Sequence, residues 1–151
     1  MVFEDWLAIT NLVSTYAEIL DSGDLTGLGD LFTEDAVFED FPRQEPSESY
    51  AFPGQGRDGV VAALQTSLDF WLERHGMRRT HLVSNMRMTE LDEATVQATS
   101  QWFVIYFAVT GEVKPELRRT GHYEDVVVKG DDGRWRFRQR HSYRHNGFVN
   151  R

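Results

Sequence analysis

Hydrophobic residues recur every three or four positions between residues 4 and 21, where Trp6, Ile9, Leu12, Val13, Tyr16, Ile19 and Leu20 form one stripe. That period predicts an amphipathic helix, and Gly23 stands where a C-terminal cap is expected. Asp24 then reads as the N-cap of a short helix reaching Leu31 and Phe32. The run Ala36-Val37-Phe38-Glu39 suits a first strand. A helical period returns from about Asp58 to His75, with Val60, Val61, Leu64, Leu68, Trp71 and Leu72 on one side and Gly76 as its stop. Beyond that glycine the period becomes two. Strands are expected near 79–91, 95–110, 118–129 and 134–146, with turns at Leu91-Asp92-Glu93 and Gly130-Asp131-Asp132-Gly133. Residues 42–57, which hold Pro42, Pro46, Pro53, Gly54 and Gly56, form a loop long enough to serve as a lid or pocket rim.

This order predicts an α+β fold in a single domain over residues 1–151. Helices segregated to one face of a strongly curved antiparallel sheet make a cone, and its mouth is a natural site for an apolar ligand. An aromatic content of 13% suits either a thick core or such a cavity.

Charge and composition narrow the chemistry. A net charge of −8 argues against a nucleic-acid or anionic-membrane partner. Arg134, Arg136, Arg138, Arg140 and Arg144 cluster late in the chain, and their even spacing marks one strand face, read as solvated or inter-subunit. A sheet-to-sheet homodimer is therefore expected, with a trimer as the other oligomer considered. The absence of Cys excludes disulfides and thiol nucleophiles. Met1-Val2-Phe3-Glu4-Asp5-Trp6 is acidic where a signal peptide is basic, so a soluble cytoplasmic protein is expected. No metal site is expected, because His141 and His145 lie four apart on a strand, a span of ~13 Å. Gly54-x-Gly56 lacks the surroundings of a dinucleotide fingerprint, so no cofactor is expected either.

Two residues stand out. Asp21 closes the first helix, where the partial negative charge of the helix terminus disfavours a carboxylate by ~0.3–1 kcal/mol. Its compensation is either a partner elsewhere in the fold or a local turn with Gly23 and Asp24. His81 shares a strand face with Val83, Asn85 and Arg87, opposite Leu82, Met86 and Met88. Whichever face lines the cone decides whether His81 points inward. Tyr16 lies on the apolar stripe, as a core aromatic or as a hydroxyl donor. Asn85 either holds substrate or pairs with backbone. His122 and Glu124 share one strand face, Tyr123 and Asp125 the other.

The ordered set Ile9-x-x-Leu12-x-x-x-Tyr16-x-x-x-x-Asp21-x-Gly23-Asp24, Leu31-Phe32-Thr33-Glu34-Asp35-Ala36-Val37-Phe38, Gly56-Arg57-Asp58-Gly59-Val60, Thr80-His81-x-x-x-Asn85, Gly121-His122-Tyr123-Glu124-Asp125 and Gly133-Arg134-Trp135-Arg136-Phe137 resembles the SnoaL-like branch of the nuclear transport factor 2-like superfamily. The resemblance covers nearly the whole chain and implies a cystatin-like roll. In scytalone dehydratase, bile acid 7α-dehydratase and lindane dehydrochlorinase, a helix aspartate pairs with a strand histidine that removes a proton beside a leaving group. Asp21 and His81 match those positions, Asn85 follows as in the dehydrochlorinase, and Tyr16 resembles the dehydratase tyrosine that polarises a substrate oxygen. The further acid or histidine of the dehydratases falls where Trp102, Val104 and Tyr106 stand here. Tyr106 and His122 are the only substitutes, so isomerisation or cyclisation gains on dehydration.

The resemblance thus implies a cofactor-free lyase or isomerase acting on a small apolar cyclic or polycyclic molecule. Its catalytic residues are Asp21, His81 and Tyr16. Its substrate-binding residues are Asn85, Val83, Trp71, Trp102, Val104, Tyr106 and His122, with Phe103 as a further wall. The alternative from the same superfamily is a non-catalytic module such as the small subunit of an aromatic-ring dioxygenase.

Overall fold

A computed structural model describes residues 1–41, 53–108 and 115–145, apart from the side chains of Trp71, Arg74, His75 and Arg118. Most of the proposed rim loop, residues 42–52, lies outside the described residues, and so does the end of the strand expected to reach 110.

The first helix, α1, runs Phe3–Ser22. Glu4 and Asp5 in its first turn complement the helix dipole, and Gly23 ends it at φ 77°, a left-handed position that favours glycine. Its buried stripe is Ile9, Leu12, Val13, Tyr16, Ala17 and Leu20. Asp24 caps a turn rather than a helix. Its Oδ1 accepts from the Thr26 N–H at 3.0 Å, and only a single 3-10 turn, Leu28–Leu31, follows. Strand β1 spans Phe32–Phe41 and β2 is the short pair Gly54–Gln55. Helix α2 covers Gly56–His75. Strands β3 (Met77–Asp92), β4 (Thr95–Ala108), β5 (Glu116–Lys129) and β6 (Trp135–Arg144) form the meander.

The sheet order is β2-β1-β6-β5-β4-β3. It is mixed rather than purely antiparallel, because β1 lies parallel to β6. Both helices contact the same sheet, and the core between them gathers Ile9, Leu12, Val13, Tyr16, Phe32, Val60, Leu64, Val96, Trp102, Val127 and Phe137. This is the curved, cystatin-like roll that the resemblance implies.

Strict alternation fails at several register shifts, and two of them move chemistry from one face to the other. In β3 the register shifts between Ser84 and Arg87, with Asn85 in the left-handed region at φ 52°. Before the bulge His81 and Val83 turn inward while Leu82 is exposed. After it Met86 and Met88 pack against the core, and Asn85 and Arg87 are exposed. Both expected faces are therefore half inside. In β6 the shift falls at Arg138, the unpaired residue between Phe137 and Gln139. Arg134, Arg136 and Arg138 stay outside, whereas Arg140 is fully buried and Arg144 turns inward beside Asp40. The five arginines do not share one face.

Candidate active site

Strand β3 is an edge strand, so its outward N–H groups have no neighbouring strand to bond. The C-terminal turn of α1 lies against that edge. There the Asp21 carboxylate accepts the His81 backbone N–H at 2.8 Å through Oδ2 and meets the His81 ring Nδ1 at 2.6 Å through Oδ1. These two bonds offset the unfavourable placement of a carboxylate at a helix C-terminus. An ionised carboxylate only accepts, so Nδ1 carries the hydrogen and Nε2 keeps its lone pair.

The ring lines a cavity of about 70 Å³ between the helices and the sheet. Its apolar walls include Leu20, Phe38, Leu64, Trp102 and Val104, and its polar lining includes Tyr16, Tyr106, Tyr123, Ser67, Arg79 and Asp40. Asp21 does not line it. The carboxylate stands behind the imidazole, beside a second cavity of about 100 Å³ that it shares with Leu68, Leu72 and Met77. Burial holds the His81 imidazole below its ordinary pKa, against the pull of the Asp21 hydrogen bond, and the Arg79 charge adds to the lowering. His81 is thus neutral at pH 7. Burial also pushes the Tyr16 hydroxyl up to about 12, so it remains a donor.

Behind Tyr16 and Tyr123 sits a sealed ion pair. Arg140 donates from Nε and Nη2 to the two oxygens of Asp125, each at 3.0 Å, with both side chains essentially inaccessible. The guanidinium carbon lies 4.1 Å from the Tyr16 ring centre and 4.0 Å from that of Tyr123. The pair holds two cavity-lining rings by cation–π contact. Gly121 faces the Trp102 indole so closely that an added Cβ would collide with that ring and with the Tyr143 carbonyl. The glycine is what lets Trp102 lie across β5.

Of the residues singled out from the sequence, Tyr16, His81, Trp102, Val104 and Tyr106 line the one cavity. Val83 has the same orientation as His81 but packs against the core instead of lining the cavity. Asn85 is a correction: the bulge turns it outward, where its side-chain amide donates to Gln101 at 2.8 Å. His122 is another. Its parity is that of Glu124, on the outer face of β5, where it stacks on Tyr143 and lies 3.0 Å from His145 Nε2. Phe103 alternates with Trp102 and Val104 and is likewise outside the cavity lining. The Trp71 side chain lies outside the described residues.

Sequence reasoning missed Arg79, Asp40, Ser67, Tyr123 and Arg144. Arg79 carries a usable signal, since it is two residues before His81 on the same strand. Asp40 follows the parity of Ala36 and Phe38, and Tyr123 that of Asp125, whereas Arg144 depends on the bulge at Arg138 and Ser67 on the rotation of α2. Among the described residues no three His, Asp or Glu side chains converge as a metal site, and no helix there is long and apolar enough to cross a membrane.

A family model for the SnoaL-like domain matches residues 1–141. The chain belongs to that family. Among solved structures it is similar to ActVI-ORFA from Streptomyces coelicolor, at 26% identity and a TM-score of 0.73, over 92% of this chain and 96% of that one. A protein named for scytalone dehydratase, from Novosphingobium aromaticivorans, shares 24% identity with a TM-score of 0.72, over 97% and 89% of the two chains. The beta subunit named for an aromatic-ring-hydroxylating dioxygenase of the same organism gives 18% and 0.70, over 92% and 88%. Among curated proteins none matches. The SnoaL-like roll therefore hosts proteins named for quite different roles, and the site has to choose among them.

Proposed function

We propose that this SnoaL-like protein is an enzyme that moves a proton on a small cyclic, largely apolar organic substrate, in an elimination, isomerisation or cyclisation. The observation that carries this is His81. Its ring lines the cavity while Asp21, outside the cavity, holds the opposite nitrogen. That division of labour is what a general base requires: Nε2 takes the proton and the carboxylate stabilises the imidazolium. Tyr16, protonated and in the same lining, donates to the substrate oxygen that gains charge. Tyr106, Tyr123 and Ser67 in the same lining offer further hydroxyls for a leaving group. No step calls on a cofactor.

Proton exchange reads all three reaction types at once. Enolisable cyclic ketones and β-diketones are incubated with the protein in D₂O, and loss of the α-proton signal is followed by NMR. Exchange is expected with the parent protein and lost in His81→Ala, with the fold retained by circular dichroism. Parent-like exchange in His81→Ala would remove His81 as the base, and no exchange together with co-purification with a larger iron-containing subunit would replace the enzyme with an assembly module.

A further inference from the structure

We infer that the cavity takes a substrate bearing a carboxylate, and that Arg79 is the residue that binds it. The inference rests on the proposed function only in placing that substrate beside His81. It starts from an imbalance among the buried and half-buried arginines of the interior. Arg140 has Asp125 and Arg144 has Asp40, each through two nitrogens. Arg79 is just 9% exposed, yet among the described residues it makes a single hydrogen bond, from Nη1 to the Ser67 hydroxyl at 3.3 Å, and its Nε has no partner there. No carboxylate among the described residues pairs with it.

An arginine does not shed its proton, so it cannot escape burial by becoming neutral. Taking an ion out of water costs several kcal/mol unless an opposite charge and matching acceptors replace the hydration. The replacement missing here is an acceptor-rich anion. The lining as a whole points the same way, with three arginines (Arg79, Arg119, Arg144) against one aspartate in a chain of net charge −8. Trp102 Nε1, in the same lining, is a second buried donor without an acceptor. A planar guanidinium fork fits a carboxylate through two parallel bonds.

Position makes the site useful. Arg79 and His81 are alternate residues of β3 on one face, ~7 Å apart along the strand. Arg79 pairs with Tyr106 in register and His81 with Val104. A carboxylate on Arg79 therefore places a carbon a few bonds away against Nε2. The apolar remainder faces Leu20, Leu64 and Val104. The ligand is thus a cyclic acid, not a wholly apolar molecule.

Benzoate and benzamide are nearly the same shape and differ in charge. Titrated into the full chain and followed through tryptophan fluorescence and the His81 ring signals in NMR, benzoate should bind at least about tenfold more tightly, as a charged hydrogen-bonded contact predicts. Arg79→Gln should erase that preference, and Arg79→Lys should keep only part of it, having charge without the fork. Asp21→Asn should keep it in full, so failure of the proton-transfer reading and failure of the anion site give different results. Equal affinity for the two ligands, no benzoate binding, or an undiminished preference in Arg79→Gln would each overturn the inference. If Arg79→Gln does not fold, an undiminished preference in Arg79→Lys does the same.

Discussion

Two pairs of a carboxylate and a cationisable side chain lie within the same roll, and their difference separates scaffold from chemistry. Asp125 and Arg140 are both inaccessible, joined by two bonds and walled by the rings of Tyr16, Tyr123 and Phe137. Asp21 and His81 are joined by one side-chain bond, and a second from the same carboxylate fixes the backbone. The Arg140 end of the first pair is always charged, since arginine keeps its proton, so the pair serves to order the interior. The second can change state. Its histidine can gain or lose a proton, presents one nitrogen to a cavity and leaves the carboxylate outside it. Replacing arginine by histidine, and a sealed wall by an open one, turns a structural pair into one able to exchange a proton, which is what the proposed function uses.

Breaking each pair should therefore fail in a different observable. His81→Ala should lower the rate of proton exchange by ~10²–10⁴-fold, the usual contribution of a positioned base, while the melting temperature stays near that of the parent. Asp21→Asn should lose less than that, and the double variant no more than His81→Ala alone, because the aspartate acts only through the imidazole. Additive losses in that cycle would mean that Asp21 touches the substrate itself.

Asp125→Asn reverses the pattern. It leaves the Arg140 guanidinium buried without its counter-charge, which costs ~3–5 kcal/mol, read as a lower denaturation midpoint. Replacing both partners with Asp125→Leu and Arg140→Met should cost less than the single change. A single variant as stable as the parent would show that the pair is not holding the core. A smaller loss, ~1–3 kcal/mol, is expected for Gly121→Ala, whose new methyl group collides with the Trp102 ring. That loss should come with a changed tryptophan emission, as the indole moves toward the cavity.

The sequence pattern carried the helices, the strand order after Gly76 and the meeting of Asp21 with His81, because these follow from periods of 3.6 and 2 and from a family-like arrangement. It failed where the period breaks. Asn85 in the left-handed conformation shifts the phase of β3, so a residue expected beside His81 ends outside. Arg138 does the same in β6 and sends Arg140 into the core. One extra residue on a strand exchanges its faces, and nothing in Ser84-Asn85-Met86 or Arg136-Phe137-Arg138 announces it. The parallel pairing of β1 with β6 was equally hidden, since it depends on how the chain returns across the sheet. Arg79 was within reach of the same parity that selected His81.

The finest test of the contrast is the pH dependence of the two neighbours of His81. Burial and the Arg79 charge hold the imidazole below its ordinary value of 6.5, and Asp21 pulls the other way. Only the neutral ring is a base, so exchange should be flat above pH 6.5 and fall as the pH drops through the lowered value of the folded state. Stability follows the same sign. The unfolded chain takes up the proton first as the pH falls, so the folded state is favoured above 6.5 and loses that advantage in acid. Removing Asp21 as Asp21→Asn takes away the stabiliser of the imidazolium and should move the acid limb to lower pH, giving a slower variant that survives further into acid. Removing the charge in Arg79→Gln should move it upward. The two shifts are small, but they are opposite, and an NMR titration of the His81 ring reads both without turnover. If both variants move the limb in one direction, His81 does not sit between these two charges in the way its contacts describe.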